Sequence, residues 1–145
     1  MAPLSEHAAS ERLREALESR GHRLTEQRTA VYRYLSRTET HPTAEEVHGA
    51  VRPGLPTISL ATVYKNLETL VACGIAVKLA YSDGSSRYDG RTDRHHHTRC
   101  EECGAVRDAA TILSPSAVKE IESCPDFRVT GYHLELTGLC AACAC

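Results

Sequence analysis

The chain has no tryptophan, one phenylalanine and one methionine among its 145 residues, and neither sign of charge dominates: 17 lysines and arginines face 19 aspartates and glutamates, a formal net charge of -2. No apolar run approaches the ~20 residues that span a bilayer, which excludes a membrane-spanning helix. The first thirty residues carry Glu6, Glu11, Glu15, Glu18 and Glu26 among their arginines and lack the apolar stretch of a secretory signal, so a cytosolic, cytoplasmic location is expected. The balance of charge holds along the chain, with ten basic and ten acidic side chains in residues 1–86 and seven and nine in residues 87–145. Any DNA-binding function must therefore rest on local pattern, because the field of the whole chain would not supply it. Cysteine and histidine, by contrast, are abundant, at seven and eight residues. An odd cysteine count in a cytosolic chain argues against a disulfide framework and for metal or redox chemistry.

The length allows one domain or two small ones, with roughly two-thirds of the unfolded surface hidden on folding. Four helices are expected in the N-terminal half. Ser10 is expected to cap the first, with Leu13, Ala16 and Leu17 at helical spacing and Gly21 closing it. Thr25 opens a second with Ala30, Val31, Tyr34 and Leu35 on one stripe, and Thr43 with Glu46 makes a capping box for a short third helix. Arg52-Pro53-Gly54-Leu55-Pro56 breaks that helix, and Ser59 caps a fourth that runs to about Cys73, with Gly74 at the stop.

On the fourth helix Leu60, Val63, Leu67, Leu70 and Val71 form an apolar stripe, while Ala61, Thr62, Lys65 and Asn66 are small or polar on another side. A helix that enters a major groove needs such a donor-rich N-terminal face, although an ordinary amphipathic surface helix has the same pattern. Ile75 to Tyr81, the turn Ser82-Asp83-Gly84-Ser85, and Ser86-Arg87-Tyr88 predict a hairpin, and helices followed by a hairpin fit a winged helix-turn-helix. Beyond Asp89 the pattern predicts strands over 95–100, 105–109 and 127–136, and a helix opened by Ser114-Pro115 that carries Val118 and Ile121. The fold class is α+β: an N-terminal winged helix-turn-helix domain, then a small α/β domain. The expected bounds are 1–84, a hinge over 85–92, and 93–145.

Two constellations carry chemistry. Cys100-x-x-Cys103 and Cys140-x-x-Cys143 supply four thiolates suited to a closed tetrahedral structural zinc site; a thioredoxin-like redox motif explains one pair but not two. Cys73 and Cys124 are expected as small buried hydrophobes and Cys145 as a spare thiol. His95 and His97 point to one face of a strand, and Asp108 lies on the neighbouring strand with Asp89 at the end of the wing. Imidazoles with carboxylates suit Fe(II), Mn(II) or Zn(II), whereas singly each has a plain reading as a solvated side chain or turn residue.

The order His41-Pro42-Thr43-Ala44, Ser59-Leu60-Ala61-Thr62-Val63-Tyr64-Lys65-Asn66-Leu67, Ser85-Ser86-Arg87-Tyr88-Asp89, His95-His96-His97, Cys100-x-x-Cys103-Gly104 and Cys140-x-x-Cys143 resembles the ferric uptake regulator family of metal-dependent repressors, from about residue 10 to 143. Within the family it is most similar to the peroxide-sensing branch. The resemblance implies a homodimer that binds double-stranded operator DNA, with the C-terminal domain as the dimerisation domain and the four paired cysteines on structural zinc. It also implies a regulatory iron(II) or manganese(II) site at His41, Asp89, His95, His97 and Asp108. His41 and His95 become the oxidation-sensitive residues, and the DNA contacts fall on Tyr64, Lys65, Ser59, Thr62 and Arg23. Asp108 favours the peroxide branch, because iron- and zinc-uptake regulators more often carry Glu there. A further metal site of many relatives is replaced by Arg94, Ala109 and Tyr132, and Lys65 falls where relatives vary.

Three other readings compete. Iron-availability or other metal-uptake repression differs only in the signal. A mononuclear metallohydrolase could use the same ligands, but five of them leave little room for substrate, and no further Glu or His is placed as general base. A zinc-stabilised interaction module leaves the donor-rich helix unexplained.

Overall fold

Ser5 starts the first helix by accepting a hydrogen bond from the Ala8 N–H, so α1 spans Glu6–Glu18 and begins one turn earlier than predicted. Ser10 lies inside it, where its hydroxyl donates back to the Glu6 carbonyl at 2.9 Å instead of capping. The computed structural model describes residues 5–81, 83–110 and 113–145. It divides the chain into two compact units, Met1–Asp93 and Arg94–Cys145.

In the first unit Thr25 caps α2 (Glu26–Arg37), the Thr43–Glu46 capping box starts α3 (Ala44–Val51), and Ser59 caps α4 (Leu60–Ala72). The α2 stripe is rotated from the predicted one: Val31, Tyr32 and Leu35 are buried, with Ala30 and Tyr34 at its margins. On α4 Val63, Leu67 and Leu70 are buried as expected, and Asn66 joins them at 5% exposure, which removes it from the polar face. Its position decides this, since three residues after Val63 and four before Leu70 is the same side of a helix. Gly74 (φ 73°) ends α4, where the Gly74 N–H reaches the Val71 carbonyl and the Ile75 N–H the Leu70 carbonyl. That is a Schellman motif, which glycine favours because it adopts positive φ without strain. These helices share one core with Leu13, Leu17, Val47, Ile58 and Tyr88.

The wing is an antiparallel hairpin, β1 (Val77–Ala80) with β2 (Ser86–Asp89), in the register Val77↔Asp89 to Ala80↔Ser86. In its turn Asp83 accepts from the Ser85 N–H and Gly84 takes φ 82°, while Ser82 lies outside the described residues. The chain then passes so close to α2 that a Cβ on Gly90 would stand 2.7 Å from the Leu35 carbonyl oxygen.

The second unit holds β3 (His97–Cys100), β4 (Val106–Asp108), α5 (Pro115–Glu122) and β5 (Glu135–Gly138). The sheet order is β4-β3-β5, with β3 antiparallel to β4 and parallel to β5. The first two strands are shorter than predicted, and of the strand predicted over 127–136 only its end forms, shifted to 135–138. An alternating pattern marks a half-buried surface, but a strand needs a partner, and β4 and β5 already flank β3. Phe127 accordingly stands 68% exposed. Ser114 caps α5 with Pro115 in the first turn as expected, yet none of its residues is buried. Among the described residues no helix is long and apolar enough to cross a membrane.

Candidate metal centres and nucleic-acid face

Cys100 closes β3 and Cys103 follows across a turn in which the Gly104 N–H bonds the Cys100 carbonyl and Gly104 takes φ 71°. The Glu101 N–H donates to the Gly138 carbonyl at 2.8 Å, which carries the end of β5 to that turn, and the Cys140 N–H points at Cys100 Sγ. The four sulfurs of Cys100, Cys103, Cys140 and Cys143 thus lie within 4.8 Å of one another. Cys103 Sγ and Cys140 Sγ are 3.8 Å apart, the edge of a thiolate tetrahedron whose metal–sulfur distances are ~2.3 Å. Hydrogen bonds from the Cys103 and Cys140 backbone bring the Cys100 thiol down to about 6, and the Cys143 backbone lowers Cys140. The Cys140 and then the Cys103 sulfur push the Cys143 thiol up to about 12. Binding of one cation by all four requires the thiols to give up their protons. Donor type and spacing fit zinc. Cys73 caps α4 half-buried, whereas Cys124 is exposed rather than buried as predicted; Cys145 is exposed, its thiol donating to the Ala141 carbonyl.

Imidazole and carboxylate donors occur in both units. In the first, His41 and Asp89 are both buried, with Nε2 and Oδ2 3.6 Å apart. The Tyr88 N–H donates to the Pro42 carbonyl at 2.9 Å, which lays the 41–43 segment along β2. In the second, His97 stands opposite Asp108 in the β3–β4 ladder, and Asp108 Oδ1 lies 3.2 Å from His95 Nε2 and 4.0 Å from His97 Nε2. His95 precedes β3, yet the Ala109 N–H bonds the His96 carbonyl at 2.7 Å and continues the ladder, so the alternation holds. His96 instead stacks on Tyr132, over whose ring the Arg94 guanidinium lies at 4.8 Å.

At the start of α4 Ser59 Oγ accepts the Thr62 N–H and shares a hydrogen bond with the Thr62 hydroxyl. Tyr64 and Lys65 are exposed beside them, and Arg23 is exposed in the loop before α2. The Tyr64 hydroxyl donates to Glu45 Oε1 at 2.8 Å. That partnership raises the Tyr64 hydroxyl, while Glu45's own backbone N–H and then Tyr64 lower the carboxyl. Glu45 was not readable from the sequence as a neighbour of Tyr64, because no local signal joins residues 19 apart.

Residues 19–137 match the model of the Ferric uptake regulator family. The chain belongs to that family. It is 40% identical over 128 residues to the peroxide-responsive repressor PerR of Staphylococcus aureus (strain USA300), covering 88% of this chain and 86% of that protein. Among solved structures it is similar to PerR from Streptococcus pyogenes, described as a basis for peroxide sensing and gene regulation, at 32% identity, 93% and 92% coverage and a TM-score of 0.53. The ferric uptake regulator Fur of Helicobacter pylori matches with a TM-score of 0.85 over 99% and 97% of the two chains; at 23% identity that likeness speaks for the fold. The winged helix and small α/β unit are thus the architecture of the ferric uptake regulator family.

Proposed function

We propose that this member of the family is a metal-dependent, DNA-binding transcriptional repressor that responds to peroxide. The observation that carries the reading is Asp108 bracketing His95 and His97 on one side of a strand pair, in a chain that also holds a buried His41–Asp89 pair and a winged helix. The 40% identity to a peroxide-responsive repressor across most of both chains supports the signal. His41, Asp89, His95, His97 and Asp108 serve one iron(II) or manganese(II) ion, and the four paired cysteines hold zinc that fastens the chain end to β3. The protein works as a cytoplasmic homodimer, and the exposed Ile121, Phe127, Leu136 and Leu139 of the second unit offer apolar surface for the partner copy.

These His and Asp residues would hold iron(II), which would supply one-electron reduction of peroxide to an oxidant there, chemistry that manganese(II) would not supply. The imidazoles of His41 and His95 are the side chains that take up oxygen. Asp89 and Asp108 offset the charge of the ion and hold it against the imidazole donors. An ion that took donors from both units would constrain the pair, and loss of one imidazole as a donor would relax it. Tyr64, Lys65, Ser59, Thr62 and Arg23 face operator DNA. With five side chains committed to one ion, the protein is a regulator and not an enzyme.

The test is a gel shift of anaerobically purified protein on promoter DNA. Fe(II) and Mn(II) are each expected to support binding, and peroxide to release the iron form alone. An iron form that stays on DNA makes iron-availability sensing the better reading, and no metal-dependent shift at all removes the repressor reading.

A further inference from the structure

Arg87 lies on a two-stranded wing, yet its side chain is only 15% exposed. Its Nη1 donates to the His41 carbonyl oxygen at 2.9 Å and to Glu46 Oε2 at 3.2 Å. The same carboxylate oxygen accepts the Thr43 N–H at 2.7 Å, closing the capping box of α3. One residue along β2, the Tyr88 N–H holds the Pro42 carbonyl at 2.9 Å. The 41–43 segment is therefore pinned at each residue: at 41 by Arg87, at 42 by the backbone of Tyr88, at 43 by Glu46.

Alternation along β2 gives these contacts their meaning. Arg87 and Asp89 point to one face, and Tyr88 points to the other, where its hydroxyl donates to Glu68 on α4 at 2.8 Å. On the first face Arg87 grips the backbone of His41, and Asp89 stands 3.6 Å from the His41 ring. The position of the imidazole thus follows from a guanidinium 46 residues away in sequence, whose Nη1 serves a carbonyl and a carboxylate at once with its two N–H groups held in the guanidinium plane.

We propose that Arg87 is a positioning residue for the regulatory metal site: through the His41 carbonyl and Glu46 it fixes where the His41 imidazole stands beside Asp89, and so sets metal affinity without touching the ion. The inference rests on His41 and Asp89 being ligands. Supporting groups of this kind are worth about 10–100-fold in metal affinity.

The experiment titrates Mn(II) calorimetrically into intact, zinc-loaded protein, with operator binding measured at saturating Mn(II) in parallel. Arg87→Gln is expected to weaken Mn(II) by about 10–100-fold while operator affinity at saturation matches wild type. Arg87→Lys, which keeps the charge but loses the planar, fixed donor geometry, recovers part of the loss. A merely structural role moves the other readouts instead, lowering the melting temperature and the operator affinity at saturation with Mn(II) affinity unchanged, and that result overturns the assignment. His41→Ala separates the layers. If it weakens Mn(II) and Arg87→Gln does not, the role of Arg87 fails; if His41→Ala itself binds as wild type, the ligand reading fails and takes the inference with it. Should Arg87→Gln not fold, Glu46→Gln, which weakens the anchor and keeps a cap acceptor, is expected to bind Mn(II) more weakly than wild type, and wild-type affinity there overturns the role as well.

Discussion

Tyr64 illustrates how one side chain is held ready on an exposed face. Its hydroxyl donates to Glu45 Oε1 at 2.8 Å, so the ring has one preferred direction even though the residue is 39% exposed. Lys65 beside it is exposed too, and the pair on α4 is expected to do different work on DNA from Arg23. Tyr64→Ala should relax operator specificity at a cost of ~1–3 kcal/mol, as loss of a base contact does, whereas Arg23→Ala should weaken all sequences alike and reduce the salt slope by ~1. Fluorescence anisotropy across a salt series on operator and scrambled duplexes checks both, and wild-type binding by Tyr64→Ala and Lys65→Ala at every salt concentration contradicts the choice of α4. At this scale the sequence pointed to candidate side chains but not to the residues that hold them. His-x-His and Cys-x-x-Cys are legible because ligand geometry is local there. The partners Glu45 to Tyr64, Arg87 to His41 and Glu68 to Tyr88 are separated by 19, 46 and 20 residues and meet only through the fold.

Among the elements, the capping chemistry of α2, α3, α4 and α5 was legible because each cap is a bond between residues three apart. Residues 127–134 were misread because their alternation needs a strand beside it, and Ser10 because a serine inside a helix and one at its start look alike in sequence. No local pattern marks Gly90 either. Its backbone lies against the last turn of α2, where an added Cβ would meet the Leu35 carbonyl oxygen at 2.7 Å and the Ser36 Cα at 3.2 Å. Both are backbone atoms, so no side chain can swing away. Gly90→Ala should therefore force β2 and α2 apart and cost about 1–3 kcal/mol, the usual range for overpacking. Urea unfolding of the zinc-loaded protein measures this, and an unchanged midpoint shows that the segment relaxes freely.

Across the whole molecule each unit carries a separate part of the task. The first joins a winged helix to the buried His41–Asp89 pair through β2, and the second joins the His95–Asp108–His97 trio to the four-sulfur cluster through β3, whose two ends bear His97 and Cys100. Peroxide can be sensed in such a chain at its imidazoles or at its thiols, and Cys73, Cys124 and Cys145 make the second route chemically open. The two routes differ in reversibility, since dithiothreitol reduces disulfides and sulfenic acids but does not remove oxygen from an imidazole. The most direct measurement is the peptide mass map of iron-loaded and manganese-loaded protein after peroxide, with dithiothreitol added before operator binding is measured again. A gain of one oxygen on the His41 or His95 peptide, in the iron form alone and with DNA binding not restored, is the predicted result; unmodified histidine peptides with binding recovered by dithiothreitol would contradict it.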